Sequence, residues 1–229
     1  MGRPARLLVL ALPLPLAVGC IPMRKTYVLR PDGIVRVVDG KGAPIAGARV
    51  SLIRHRHPHG RNDAEWRTTA DARGEVAFTR EERTQTVFPL MMHGVPAYSF
   101  VACAEAPGYA GTTAQWSAPA GGGQFGTLAI ELPEGERPCD APIDLAPPPA
   151  GEARLLARVR KGADEWTLDL TLARAEPIAV GARLGGLVVT KVAWQSEPPS
   201  EVRRATVEVR GDAAGLRVGQ SIVRGAVAQ

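Results

Sequence analysis

A chain of 229 residues with 45% hydrophobic and 22% charged residues has the composition of a globular protein, which excludes a disordered or fibrous chain. The formal charge of +5 comes from basic residues that are scattered along the chain, and 24 of these 28 residues are arginine. Because the sequence contains no long basic run, it argues against nucleic acid as a partner.

The first twenty residues, MGRPARLLVLALPLPLAVGC, have the pattern of a secretory signal peptide. Two arginines precede an apolar run at residues 7–18, which is too short to cross a bilayer as a helix. The ending LAVGC resembles a bacterial lipobox, in which the cysteine becomes the first residue of the mature chain. We therefore expect residues 1–19 to be removed and Cys20 to be lipidated. The alternative is an ordinary signal peptide that is cleaved near Gly19.

By this resemblance, Cys20 carries a diacylglycerol thioether and an N-linked acyl chain such as palmitate. More than one acyl chain gives stable anchoring where a single chain would be marginal. Ile21 follows the cysteine in place of the Asp that favours retention in the inner membrane. The expected location is the outer membrane, facing the periplasm or the cell surface, and residues 20–31 are expected to form a tether.

Seven short strands are predicted in residues 32–139, because apolar residues alternate there and turn residues separate the runs. In chain order the strands lie in GIVRVV, ARVSLIR, EWRTT, EVAF, AYSFVACAE, GYAGTTAQW and FGTLAIEL. The charged stretch REERTQ at residues 80–85 is interpreted as a solvated connection. No stretch keeps a helical period, so the pattern predicts an antiparallel β-sandwich.

Three separated segments of this region, VVDGKGAPIAGARVSL, TTADARGEVAF and VACAEAPGYAG, resemble the carboxypeptidase regulatory-like, or transthyretin-like, domain. The matching positions are Gly42, Pro44, Gly47, Ala48, Val50, Thr69, Asp71, Gly74, Gly108 and Tyr109. The resemblance implies a small sandwich that binds, spaces or stabilises and catalyses nothing. A hydrolase with the transthyretin fold, the hydroxyisourate hydrolase, ends in a Tyr-Arg-Gly-Ser signature that this chain lacks.

Two cysteines, Cys103 and Cys139, remain after Cys20 is assigned to the lipid anchor. An even pair in an exported protein predicts a disulfide, because the compartment outside the cytoplasm is oxidising. The alternative is a pair of buried free thiols.

A proline-rich segment at residues 140–152, DAPIDLAPPPAGE, is predicted to be a stiff linker. Beyond it the apolar residues alternate again, as in Trp166, Leu168, Leu170 and Leu172. About six strands in residues 153–229 predict a second, small all-β domain or barrel.

Three histidines at every second position, His55, His57 and His59, face one side if the strand at ARVSLIR continues. Imidazoles placed in this way could bind copper, zinc or nickel, although a fourth ligand is needed and neighbouring arginines repel a cation. The same residues equally fit the solvated end of a hairpin, so metal binding stays an alternative.

A second apolar segment, VFPLMMHGVPAY at residues 87–98, is a candidate contact surface for a partner. Its candidate residues are Phe88, Leu90, Met91, Met92 and His93. The alternatives are packing over the end of the sandwich and a copper site built from the methionines and the histidine.

Taken together, these features predict a non-catalytic lipoprotein of the cell envelope, in which an all-β, transthyretin-like or Ig-like sandwich precedes a second small β domain. The expected partners are the membrane, through the lipid anchor, and other envelope proteins or surface glycans; no cofactor is expected. The alternatives are a metal-binding lipoprotein that uses the histidines and an unrecognised hydrolase.

Overall fold

The computed structural model describes residues 22–57, 61–87, 97–116, 125–139, 148–173, 178–195 and 202–225. These ranges contain β-strands and turns without a helix, and therefore no helix suited to crossing a membrane. The strands are, in chain order, β1 (Met23–Arg30), β2 (Gly33–Asp39), β3 (Arg49–His57), β4 (Arg61–Thr69), β5 (Glu75–Phe78), β6 (Glu81–Val87), β7 (Ala97–Ala106), β8 (Tyr109–Trp116), β9 (Thr127–Leu132), β10 (Gly135–Glu136), β11 (Glu152–Arg160), β12 (Glu165–Ala173), β13 (Arg183–Leu184), β14 (Leu187–Trp194), β15 (Val202–Arg210) and β16 (Ser221–Gly225).

One layer of the sandwich is an antiparallel sheet of four strands in the order β4-β3-β7-β8. The long pair β3–β7 runs in continuous register from Arg49 opposite Glu105 to His57 opposite Ala97. Val50 and Leu52 alternate with more exposed neighbours along β3 and are fully buried. This alternation is the pattern expected of a strand with one face against a core.

The second layer is a sheet of three strands in the order β5-β2-β9. Val35 and Val37 of β2 are fully buried against the first layer. β2 and β9 pair in parallel, from Ile34 opposite Thr127 to Asp39 opposite Leu132, which differs from the wholly antiparallel sandwich expected from the sequence. A parallel neighbour requires a long crossover connection, and several strands of the other layer lie between β2 and β9 in the chain.

A two-stranded extension, β1 with β6, continues the second layer beyond β2 and β5. Arg30 lies opposite Glu81, and Gly33 lies opposite Phe78, so the two pairs form one interrupted ribbon. The sequence analysis assigned residues 20–31 to a tether and residues 80–85 to a solvated connection. The structure instead places residues 23–30 and 81–87 in paired strands, because each supplies the backbone hydrogen-bonding partner of the other.

The second domain is a closed barrel of six strands. Neighbouring strands pair in the order β11-β12-β15-β14-β13-β16, and β16 pairs back onto β11, which closes the barrel. Its core includes the fully buried Leu155, Leu168, Leu170, Leu172 and Val207. These sheets confirm the predicted fold class, an all-β chain with a transthyretin-like or Ig-like sandwich followed by a second small β domain.

The turn between β4 and β5 depends on two residues of the resemblance motif. The Asp71 carboxylate accepts hydrogen bonds from the backbone N–H groups of Arg73 and Glu75, each at 2.9 Å. Gly74 has a φ of +71°, and a Cβ there would lie 2.6 Å from the carbonyl oxygen of Val37. Only glycine therefore fits this turn without strain.

We expect Asp71→Ala to destabilise the protein in a pH-dependent way. The hydrogen bond from the Glu75 N–H, followed by that from the Arg73 N–H, lowers the pKa of Asp71 below its usual value. A lowered folded-state pKa contributes stability that is present above the unfolded pKa of about 4 and is lost as the pH falls through the folded value. Urea unfolding should therefore show a difference in the free energy of unfolding between the two proteins. This difference should be largest at neutral pH and should shrink below about pH 4.

Asp71→Asn is the matched control, because it keeps an oxygen acceptor and removes the charge. Its destabilisation should be smaller than that of Asp71→Ala at neutral pH. A difference between wild type and Asp71→Ala that stays constant from neutral to acid pH would contradict the assignment.

Candidate functional site

Several strand ends meet at the end of the sandwich where the described chain begins. Met23 of β1 lies opposite Val87 of β6, and His57 of β3 lies opposite Ala97 of β7. The two layers touch there through Tyr27 and Tyr98, whose ring centroids are 5.9 Å apart. We call this region the basic end and define it as residues 23–27, 53–57, 61–63, 83–87 and 97–99.

The predicted histidine cluster starts at the basic end. His55 and His57 continue β3, as the sequence predicted, and His55 is half-buried opposite Asn62 of β4 and Ser99 of β7. His59 and the side chain of His57 lie outside the described residues. In the part of the chain that the structure describes, no group of three His, Cys, Asp or Glu side chains could hold a metal ion. The metal hypothesis therefore stays a prediction from the sequence.

The predicted partner-contact segment follows β6 in the chain. Phe88, Leu90, Met91, Met92 and His93 lie outside the described residues. The strands that the segment joins are β6, which ends at Val87, and β7, which begins at Ala97.

An arginine on the inner face of β3 organises the described part of the basic end. The Arg54 guanidinium lies over the Tyr98 ring at 4.9 Å and over the Trp66 ring at 5.8 Å. Its Nη1 also donates a hydrogen bond of 3.0 Å to the carbonyl oxygen of Leu29 in β1. A cation between two aromatic rings is attracted by their negative faces. Arg54 therefore holds β1 against β3 and β7.

Two contacts extend this stack into β1. The Arg30 guanidinium lies 5.7 Å from the Trp66 ring, and its Nε donates a hydrogen bond of 2.7 Å to the Thr79 carbonyl. Tyr27 is buried, and the Lys25 ammonium lies 5.6 Å from its ring. The sequence analysis missed this stack, although Arg54 has the same parity along β3 as the core residues Val50 and Leu52.

A short segment, residues 133–139, joins the sandwich to the barrel and hydrogen-bonds to both. On the sandwich side, Ala110 N–H donates to the Pro133 carbonyl and Gly111 N–H donates to the Arg137 carbonyl, each at 2.8 Å. On the barrel side, β10 pairs with β11, and Gly135 fits because a Cβ there would overlap the carbonyl of Arg158. The sequence analysis placed these residues in the first domain only, whereas the segment belongs to both.

Side chains reinforce this junction. Arg137 donates to the carboxylate of Asp169 on β12 at 3.0 Å, and Asp169 also accepts from Thr206 at 2.8 Å. Glu134 pairs with Arg160 at 3.0 Å. The Arg137–Asp169 and Glu134–Arg160 pairs cross from the segment to the barrel, so they resist separation of the two domains.

The predicted disulfide is confirmed, and it ties the end of this segment to the sandwich. Cys139 is the last residue of the segment and is bonded to Cys103 of β7. The backbone N–H of Cys139 also donates a hydrogen bond of 2.8 Å to Glu105 on the same strand. Most of the predicted linker, residues 140–147, lies outside the described residues, and β11 begins at Glu152.

A cleft of about 560 Å³ lies between the sandwich and the barrel. The turn after β2, the end of β9 and the turn after β11 line it, together with Tyr109. Its charged residues are of both signs, namely Asp39, Lys41, Glu131, Glu134, Arg160 and Lys161. Its size is that of a small-molecule or peptide site. The mixed charges favour a polar ligand over an apolar one.

The groups with shifted pKa values are ion pairs and turns on the sandwich. A hydrogen bond from Arg67 lowers the pKa of Glu65, and a hydrogen bond to Glu82 raises the pKa of Arg80. Both effects stabilise the ordinary charged form. Neither effect brings a pKa close to neutral pH, which is where acid–base catalysis needs it.

No family model and no curated protein matches this chain. Among solved structures, the chain is similar to the full-length major pilin SpaD from Corynebacterium diphtheriae, with 10% sequence identity and a TM-score of 0.29. The match covers 86% of this chain, which spans 63% of the length of that pilin chain. A similarity of this size carries no conclusion about function.

We expect Arg54→Ala to loosen β1 from the sandwich. The variant loses two ring contacts and a charged hydrogen bond, so the free energy of unfolding should fall by about 2–4 kcal/mol. Hydrogen exchange should accelerate most at the backbone amides of β1. The matched control is Arg56→Ala, an exposed arginine two residues along the same strand, which should change the stability by less than about 0.5 kcal/mol. Equal effects of the two variants would contradict the role given to Arg54.

We expect removal of the disulfide to destabilise the junction and the sandwich together. The crosslink joins residues 36 positions apart. On the chain-entropy model, such a loop makes the bond worth roughly 3–4 kcal/mol, so Cys103→Ser with Cys139→Ser should lower the free energy of unfolding by about that amount. Urea unfolding followed by tryptophan fluorescence measures this change. Wild-type protein treated with reductant should match the double variant, and a loss below about 1 kcal/mol would contradict the expectation.

Proposed function

We propose that this protein is a lipid-anchored component of the bacterial cell envelope that binds or positions other molecules and does not catalyse a reaction. The observation that carries the proposal is the sequence LAVGC, which places Cys20 three residues before the first strand. Three residues span at most about 10 Å, so an anchor on Cys20 keeps the sandwich beside the membrane.

Two features of the described structure support an envelope location. The Cys103–Cys139 disulfide is typical of proteins that fold in an oxidising compartment. The strand β1 starts directly after the expected processing site, so cleavage before Cys20 leaves both domains intact. The favoured membrane is the outer membrane, because Ile21 rather than Asp follows the cysteine.

Two further features support a binding or scaffolding role. The sandwich resembles the transthyretin-like domain, and its motif residues Asp71 and Gly74 form the tight turn that such a motif needs. The cleft at the junction offers polar groups from both domains on the side of the sandwich away from β1. We infer that this cleft receives a polar segment of another envelope protein or a surface glycan.

Acylation of Cys20 is the first test of the proposal. The full-length chain should be produced in a Gram-negative host, and mass spectrometry of the mature N-terminus should find Cys20 with diacylglycerol and an N-acyl chain. Radiolabelled palmitate should enter the wild type and should be absent from Cys20→Ser.

The control is the double variant Cys103→Ser with Cys139→Ser, which keeps the lipobox and should incorporate palmitate as the wild type does. An intact Met1 or an unmodified Cys20 in the wild-type protein would contradict the proposal.

A further inference from the structure

The basic end of the sandwich lies where the lipid anchor would attach. β1 runs away from this end, from Met23 toward Arg30, and β2 continues in the same direction to Asp39. The junction with the barrel follows Leu132, which lies opposite Asp39 at the other end of the ribbon. Met23, the first residue of β1, is therefore at the basic end and far from the junction, and the expected anchor precedes it by three residues.

Positive charge is concentrated at this end. Its cations with described side chains are Arg24, Lys25, Arg54, Arg56 and Arg83. Four of these cations, Arg24, Lys25, Arg56 and Arg83, are exposed. In the ranges that the structure describes, no carboxylate forms an ion pair with any of these four cations, and the Lys25 ammonium also lies 5.6 Å from the Tyr27 ring.

At the opposite end of the sandwich, by contrast, two arginines form ion pairs with carboxylates. Arg49 pairs with Glu105 at 2.5 Å. Arg73 lies 3.3 Å from Asp71 and 3.4 Å from Glu75. Arg49 and Arg73 are therefore paired with carboxylates of the protein, whereas Arg24, Lys25 and Arg56 at the basic end have no such pair among the described residues.

We propose that the basic end, through Arg24, Lys25 and Arg56, docks on the anionic phospholipid headgroups of the membrane in which Cys20 is anchored. The inference rests on the lipidation of Cys20. Arg24 and Lys25 come from the β1–β6 layer and Arg56 from the β3–β7 layer, so both layers contribute. The stack of Arg54 with Trp66 and Tyr98 fixes these layers relative to each other, which gives the cations one rigid arrangement.

The anchor and the cations act together. A few basic residues bind an anionic surface weakly, but a tether of about 10 Å makes the second contact intramolecular and raises its effective concentration. The docked sandwich would stand on its basic end. The junction, the cleft and the barrel would then point away from the bilayer, toward envelope partners.

The test uses the mature chain, residues 20–229, with Cys20→Ser, so that the protein carries no lipid. Sedimentation with phosphatidylcholine vesicles containing about 30 mol% phosphatidylglycerol measures binding, and vesicles of phosphatidylcholine alone serve as the neutral surface. We expect binding to the anionic vesicles at about 50 mM salt, little binding to the neutral ones, and loss of binding at about 300 mM salt.

A charge-neutral variant and a matched control identify the surface. Each basic residue at an anionic membrane contributes about fivefold to partitioning, so Arg24→Gln, Lys25→Gln and Arg56→Gln together should reduce it about a hundredfold. The control, Arg183→Gln, Lys191→Gln and Arg217→Gln, removes three exposed cations of the barrel outside the cleft and should bind within about twofold of the parent chain. Circular dichroism should show the same fold for both variants.

Three results would overturn the inference: no binding to anionic vesicles at low salt, equal binding to neutral vesicles, or equal losses in the two triple variants. Because the tested chain has no lipid, none of these results bears on acylation of Cys20. Mass spectrometry of the full-length protein tests the proposed function separately.

Discussion

The architecture depends on the backbone hydrogen bonds of residues 133–139, which are made to two domains at once. Buried backbone groups need partners, and this segment finds them in Gly108–Gly111 on one side and in β11 on the other. The disulfide from Cys139 to β7 then prevents the segment from leaving the sandwich. As a result, the barrel is held by paired strands rather than by a flexible linker, and a cleft forms where the domains meet.

The other end of the sandwich is governed by a second interaction, the contact of Arg54 with aromatic rings. A charged arginine on the inner face of a strand needs favourable contacts to offset its lost hydration. Arg54 makes cation–π contacts with Tyr98 and Trp66 and a hydrogen bond to the Leu29 carbonyl. This contact recruits β1 as an extension of the second layer. It thereby places the expected anchor and the exposed cations at the same end.

Much of the candidate site could be predicted from local pattern. The expected lipobox is contiguous, so the prediction for Cys20 needs no structure and stays a prediction. His55 alternates along β3 with the inward-facing Val50, Leu52 and Arg54. The basic end could not be predicted in this way, because its described cations come from β1, β3 and β6, which are distant in sequence. These cations are scattered along the chain and come together only in the folded protein.

The fold likewise has features that local sequence predicts and features that depend on tertiary contacts. The sequence by itself determined the all-β class, the seven strands in residues 32–139, the Asp71–Gly74 turn and the disulfide, because alternation, turn chemistry and cysteine parity are local or countable properties. Tertiary structure alone decided that residues 23–30 and 81–87 are strands, that β2 pairs in parallel with β9, and that residues 133–139 serve two domains. The physical reason is that a polar, charged segment has no strand signal of its own. It becomes a strand only when a distant segment supplies its hydrogen-bonding partners.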